Sequence, residues 1–233
     1  MLRRTLLLTV IAGMALAGAA QADIMFTLGN NPQPNEDNIF FENPEFSTTA
    51  PDTLHSDVGH ILNEVVDFHS NNNPLFQKAQ GQADIKNDLD PGTALLTDLE
   101  ITVPGFRFQD FIMNPLNGLG DATVTAFDNV GHVFNYDLGN GNNFLTINTV
   151  PGTGETISEI DISMSCTNPG PPPTPVPNCV ASGPNANLGF IEFKQPRISG
   201  VAPLQEVPEP TSLVVLATAL LGMLGLSSHL RRS

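Results

Sequence analysis

Between residues 23 and 200 the apolar side chains recur with a period of two, and this limits the fold more than any other feature. Leu99, Ile101 and Val103 alternate with Asp98, Glu100 and Thr102. Ile160, Ile162 and Met164 alternate with Asp161, Ser163 and Ser165, and Phe106 and Phe108 flank Arg107. Successive side chains of an extended strand point to opposite faces, so each run presents one apolar face and one polar face. Further strands are expected at 24–28, 38–41, 60–68, 76–85, 122–127, 132–138, 144–150 and 189–193. Turn sequences stand between them, namely Asp128-Asn129-Val130-Gly131, Gly139-Asn140-Gly141-Asn142 and Pro151-Gly152-Thr153-Gly154. No stretch of this region keeps a helical period for three turns. Short strands at this spacing predict an all-β body, an antiparallel β-sandwich of jelly-roll type.

The charge of the body is lopsided. Four of the nine basic residues (Arg3, Arg4, Arg231 and Arg232) lie near the ends. Five basic residues, Lys78, Lys86, Arg107, Lys194 and Arg197, face all 24 acidic ones between Asp23 and Glu209, a net charge of −19. Such a surface disfavours nucleic acid and anionic lipid, and favours solubility and cation binding. The only cysteines, Cys166 and Cys179, bracket a proline-rich loop, and in an oxidising compartment the simplest reading is a disulfide.

Both ends depart from this pattern. Met1-Leu2-Arg3-Arg4 is a basic stretch, residues 6–16 are apolar, and Ala20-Gln21-Ala22 has the small-x-small form of a signal-peptidase site. Residues 1–22 therefore read as a secretory signal peptide, with Ala20 and Ala22 marking the cleavage. At the other end Val207-Pro208-Glu209-Pro210 precedes 18 uncharged residues, 211–228, and then the pair Arg231-Arg232. As a helix that run would span roughly 27 Å, close to the ~30 Å hydrocarbon core. Pro210 suits a helix start, and the basic pair would stay on the cytoplasmic side. A plain membrane anchor would share the apolar run and the basic pair but has no need of the Pro-Glu-Pro triplet. The expected division is a signal peptide at 1–22, a β-sandwich body at 23–200, a linker at 201–206 and a sorting segment at 207–233.

The order of motif, apolar run and basic pair resembles the PEP-CTERM tail of bacterial exported proteins. The body is also similar to a recurrent type of such proteins. Its marks are an opening strand Phe26-Thr27-Leu28-Gly29-Asn30-Asn31-Pro32, a Gly-Asn-Gly-x-Asn-Phe-Leu-Thr-Ile segment from Gly139 to Ile147, and a closing Arg197-Ile198-Ser199-Gly200. The cysteine-bridged proline loop departs from that type and reads as an insertion. The resemblance implies passage through the secretion translocon and transient tethering in the inner membrane by a tail that serves as a transmembrane helix. It also implies cleavage near Pro208-Glu209-Pro210 by an exosortase, a membrane-embedded enzyme similar to cysteine transpeptidases. The destination is the cell surface or extracellular matrix, with exopolysaccharide as the expected associate.

Signatures of catalysis are missing from the sequence. It holds no Gly-x-Ser-x-Gly, no His-Glu-x-x-His and no phosphate-loop lysine motif. His55, His60 and His69 cluster around one expected strand, with Asp67 nearby. Their spacing matches no zinc pattern, so solvated histidines are the plainer reading. With no Trp and a single Tyr, Tyr136, stacking-type sugar recognition is disfavoured, while a shallow polar site built from Asn and Asp stays open. Calcium is the one cofactor suggested: Asn87, Asp88 and Asp90 set hard oxygen donors beside Pro91-Gly92, although an Asx-rich turn explains them too. The expectation is a non-enzymatic exported envelope or matrix protein. A secreted carbohydrate-active hydrolase and a calcium-dependent glycan-binding module are the alternatives.

Overall fold

A computed structural model of the chain describes residues 24–41, 52–58, 65–77, 81–87, 95–116, 118–139, 144–150, 154–167, 175, 178–182 and 186–204. Among these residues the chain is all-β, without a helix. In chain order the strands of the body are β1 (Ile24–Leu28), β2 (Asp37–Phe41), β3 (Asp52–Val58), β4 (Val65–Ser70), β5 (Leu75–Gln77), β6 (Gly81–Gln82), β7 (Asp84–Asn87), β8 (Asp98–Thr102), β9 (Phe106–Arg107), β10 (Asp110–Leu116), β11 (Asp121–Asp128), β12 (Val133–Gly139), β13 (Leu145–Thr149), β14 (Ile157–Ser165) and β15 (Glu192–Ser199). Neighbours follow the order β1-β13-β10-β15-β2-β3-β4-β8-β14-β11-β12, with antiparallel registers.

The strand β2 divides this order into two groups. Asp37 and Asn38 pair with Ile198 and Arg197 of β15, whereas Ile39 and Phe40 pair with Val58 and Asp57 of β3. One short strand thus belongs to both sheets. Inward side chains of both groups share one core, in which Phe68, Phe108, Phe111, Phe190 and Phe193 are fully buried. Phe68 of β4 meets Phe193 of β15 with ring centroids 5.9 Å apart and meets Phe41 of β2 at the same separation. Tilted rings at such distances add about 0.5–1.5 kcal/mol per pair beyond the area they bury. At the two ends of the strand order, Phe26 of β1 stacks on Tyr136 of β12 at 5.3 Å.

The regular strands match their alternation. Along β11 intermediate and buried residues alternate through all eight positions, and Leu99, Ile101, Ile160 and Ile162 point into the core. The Asp128–Gly131 turn joins β11 to β12, and the buried Asp128 carboxylate organises it. Its Oδ1 accepts the backbone N–H groups of Val130 (2.9 Å) and His132 (2.8 Å), and its Oδ2 meets His132 Nδ1 at 2.7 Å. Burial alone would push this carboxyl up, but those donors together hold it below the ordinary carboxylate range.

Elsewhere the pattern misleads. The strand expected over 60–68 is β4, which starts at Val65, and β3 was not foreseen; residues 59–64 lie outside the described ones. The strand expected over 76–85 is broken into β5, β6 and β7. Gly189 does not open a strand; it makes a single bridge to Leu119, and β15 begins at Glu192. At φ +135° Gly189 passes so close to the Leu96 carbonyl that a Cβ would stand 2.5 Å from its oxygen. The central strand β10 was missed altogether. Its Phe111, Ile112 and Met113 are buried in succession, so no alternation marks it.

Candidate functional site

Two polar features stand out, and the alternation builds the first. Because Leu99 and Ile101 turn inward, Asp98 and Glu100 turn outward; because Ile160 and Ile162 turn inward, Glu159 and Asp161 do the same. Register then aligns them. His69 stands opposite Glu100, Glu100 opposite Asp161, and Asp98 opposite Ser163. Glu100, Glu159 and Asp161 each bring a carboxylate oxygen to within 4.8 Å of the others.

Carboxylates so placed do not ionise independently. Burial, then the Glu159 carboxylate beside it, then Asp98, push Asp161 up to about 6, so that below this pH it holds a proton that it can donate to Glu159. Burial and Glu100 push Glu159 up as well, against the help of that hydrogen bond. Asp98 is held by the Ser70 hydroxyl at 3.0 Å and the Asn71 N–H at 2.7 Å. A shallow depression of about 150 Å³ lies between Asn71, Asp98, Glu100 and Asp161. Three half-exposed oxygen donors suit a hard cation such as calcium better than zinc.

The second feature is a polar cleft of about 400 Å³ where the opening loop meets the closing strand. Arg197 Nη2 donates to Asn30 Oδ1, and Arg197 Nη1 pairs with Glu36 Oε1 at 2.5 Å. Asn31 N–H donates to Thr146 Oγ1 (3.2 Å), which itself donates to the Gly29 carbonyl (2.9 Å). Ser199 Oγ donates to Asp110 Oδ2 at 2.5 Å in the cleft wall. Burial pushes the Asp110 carboxyl up, with the Glu36 charge adding to the effect and the Ser199 hydrogen bond opposing it. The three segments that carried the resemblance in the body are thus tied together at one place. That convergence had no signal in the sequence, where Asp110 was an unremarked residue.

The singled-out residues fare unevenly. Cys166 and Cys179 form the expected disulfide, with S–S 2.03 Å and Cα–Cα 5.4 Å. Asn187 fastens the same loop, donating to the Asn178 carbonyl (2.9 Å) and accepting the Val180 N–H (2.6 Å). Asn87 is buried on β7, and its Nδ2 donates to the Leu95 carbonyl at 3.0 Å; Asp88 and Asp90 lie outside the described residues. His60 lies outside them too. His55 sits opposite Asp67 in the β3–β4 register, and His69 Nδ1 meets Thr53 Oγ1 at 2.8 Å. Ala20, Ala22, Val207, Pro208, Glu209, Pro210, Arg231 and Arg232 all lie outside the described residues. Among the described residues no helix is long and apolar enough to cross a membrane, and the run 211–228 is not one of them.

No family model, no curated protein and no solved structure matches this chain.

Proposed function

We propose that the chain is an exported, non-enzymatic component of the cell envelope or extracellular matrix, its body a two-layer β-sandwich of jelly-roll type. The shared phenylalanine core and the passage of β2 between two strand groups support the sandwich. The observation that carries the functional reading is the carboxylate face of β8 and β14, where Glu100 stands opposite Asp161. Like charges directly opposed destabilise a sheet, so such a face is better suited to an outside partner that neutralises it than to stability. In this reading a divalent cation bridges the acidic face to acidic exopolysaccharide, and many weak copies at one surface add up to retention. Release of the Asp161 proton as pH rises through about 6 then strengthens the association.

Delivery belongs to the ends. In this proposal the translocon exports the chain, signal peptidase cuts after Ala22, and the segment 211–228 with Arg231 and Arg232 tethers it in the inner membrane. An exosortase then cuts at Val207-Pro208-Glu209-Pro210. Intact mass of the extracellular protein tests this: the expected species begins at Asp23 and lacks 211–233, and an extracellular form still carrying Arg231-Arg232 overturns it. The matrix role is tested by comparing retention in the matrix with and without a chelator, for the native chain and for a Glu100→Gln, Asp161→Asn double variant. Chelation is expected to release the native chain, and the variant is expected to be poorly retained from the start. Retention indifferent to both refutes the reading, as does robust turnover by the purified chain in a broad glycoside-hydrolase screen.

A further inference from the structure

We propose that the cleft beside Asp110 binds a neutral sugar unit through its hydroxyl groups. The walls of the cleft carry hydrogen-bonding side chains. Asn35, Gln109 and Asn148 bring amides, Asp110 and Glu155 bring carboxylates, and Ser199 brings a hydroxyl. An amide both donates and accepts, and a carboxylate accepts, which is the inventory that vicinal hydroxyls require. About 400 Å³ lies near the small end of the about 300–1,000 Å³ typical of small-molecule sites, and is far more than a lone ion fills.

Charge narrows the class. Among the described residues lining the cleft there is no Lys, Arg or His, and the nearby Arg197 is engaged with Glu36 and Asn30. A uronate or phosphate would meet the Asp110 carboxyl with no cation among the described lining residues, so a neutral sugar is favoured over an acidic one. The site is also held in shape. Ser199 fixes Asp110 in the cleft wall through Oδ2. Gly200, at φ +64°, passes Gln109 so closely that a Cβ would stand 2.7 Å from its side chain; the bare backbone there lets Gln109 keep its place on the rim. Burial lifts the Asp110 carboxyl, which disfavours the free anion that a dedicated cation site would gather.

The inference does not rest on cation-dependent retention, since cleft and carboxylate face share no residue. The test titrates the purified full-length chain, in a sugar-free detergent, with methyl glucoside, methyl galactoside and methyl mannoside by saturation-transfer NMR, with glucuronate and calcium chloride as comparisons. At least one neutral glycoside is expected to bind in the millimolar range and glucuronate more weakly. Gln109 is exposed, so Gln109→Ala should leave folding intact while weakening binding about three- to tenfold, the share of one hydrogen bond. Asp110→Ala should weaken it at least as much, and Glu100→Gln on the other face should leave it unchanged. Any one of three results overturns the proposal: no glycoside bound at tens of millimolar, glucuronate bound as tightly as the neutral sugars, or binding indifferent to Gln109→Ala.

Discussion

The strands around β15 and those around β14 treat charge in opposite ways. Beside β15, Glu192 pairs with Lys86 at 2.5 Å and with Lys194, and Arg197 pairs with Glu36, so three of the five basic residues of the body serve one neighbourhood. On β8 and β14 carboxylates face carboxylates, and Asp161 relieves the repulsion by holding a proton only below about pH 6. The first region is neutralised from within, and its Lys86 and Glu192 are buried. The second is half-exposed and depends on protons or ions from the solvent. A strongly acidic chain thus places its few cations where burial makes an unpaired charge most costly, and leaves the surplus of negative charge where water screens it.

The hardest blow to this arrangement is removal of the joint between the regions. Phe193→Ala opens a cavity against Phe68, and a loss of about 3–5 kcal/mol is expected in chemical denaturation. Combination with Phe68→Ala should be less than additive because the two rings share one contact. A smaller fall would mean that the strand groups do not share a core.

Next comes the internally neutralised side. Glu192→Ala leaves Lys86, 9% exposed, without its partner and beside Lys194; a loss of about 3 kcal/mol is expected. The native pairing carries its own pH signature. Burial alone would raise the Glu192 carboxyl, but hydrogen bonds from Lys194 and Lys86 hold it below its ordinary value. Its stabilising share is therefore present above the unfolded pKa and fades as pH falls through the folded one, so native chain and variant should converge in acid. A gap that persists at low pH would show that the ion pairs are not its source.

Removing the disulfide should cost slightly less. Cys166→Ser with Cys179→Ser frees a 13-residue span, and about 2–3 kcal/mol is expected, because the prolines already stiffen the unfolded loop. Thiol labelling of the denatured, unreduced native chain should find no free cysteine.

The smallest effect has the opposite sign. The folded pKa of Asp161 is raised, so its contribution is fully present below the unfolded value and is lost as pH rises through about 6. Asp161→Asn should therefore stabilise the chain above pH 6, by about 1 kcal/mol or less once solvent screening is allowed for, and change little at pH 4. Millimolar calcium should narrow the difference by neutralising the native face. Destabilisation above pH 6 would break the contrast between the regions.

The two regions also differ in how readily the sequence announces them. Strands β8, β11 and β14 bury one face, so the alternation gives both their inward and their outward residues, the carboxylate set included. The Cys166–Cys179 bridge was equally readable, since a chain with only two cysteines allows one internal pairing. Strand β10 was not, because it is enclosed by β13 and β15 and packs on both faces. Nor was β15. Between Ile112 and Asn114 the β10 register slips by one residue on the β15 side, at Gln195 with φ +53°. That extra residue brings Phe193 and Ile198, five apart and nominally on opposite faces, into the same core, and it gives Pro196 a place in a strand that could not otherwise hold it.

The amino-acid sequence by itself determined the strand period, the turns, the excess of negative charge and the cysteine pairing, because each depends on residues near in sequence or on mere counts. Tertiary structure alone decided which carboxylates oppose one another, where the few cations go, and that Asp110, Glu155 and Ser199 meet in one cleft. Those outcomes depend on register and on long-range closure. A shift of one residue reverses every face of a strand, and no local pattern encodes which distant strand will lie alongside.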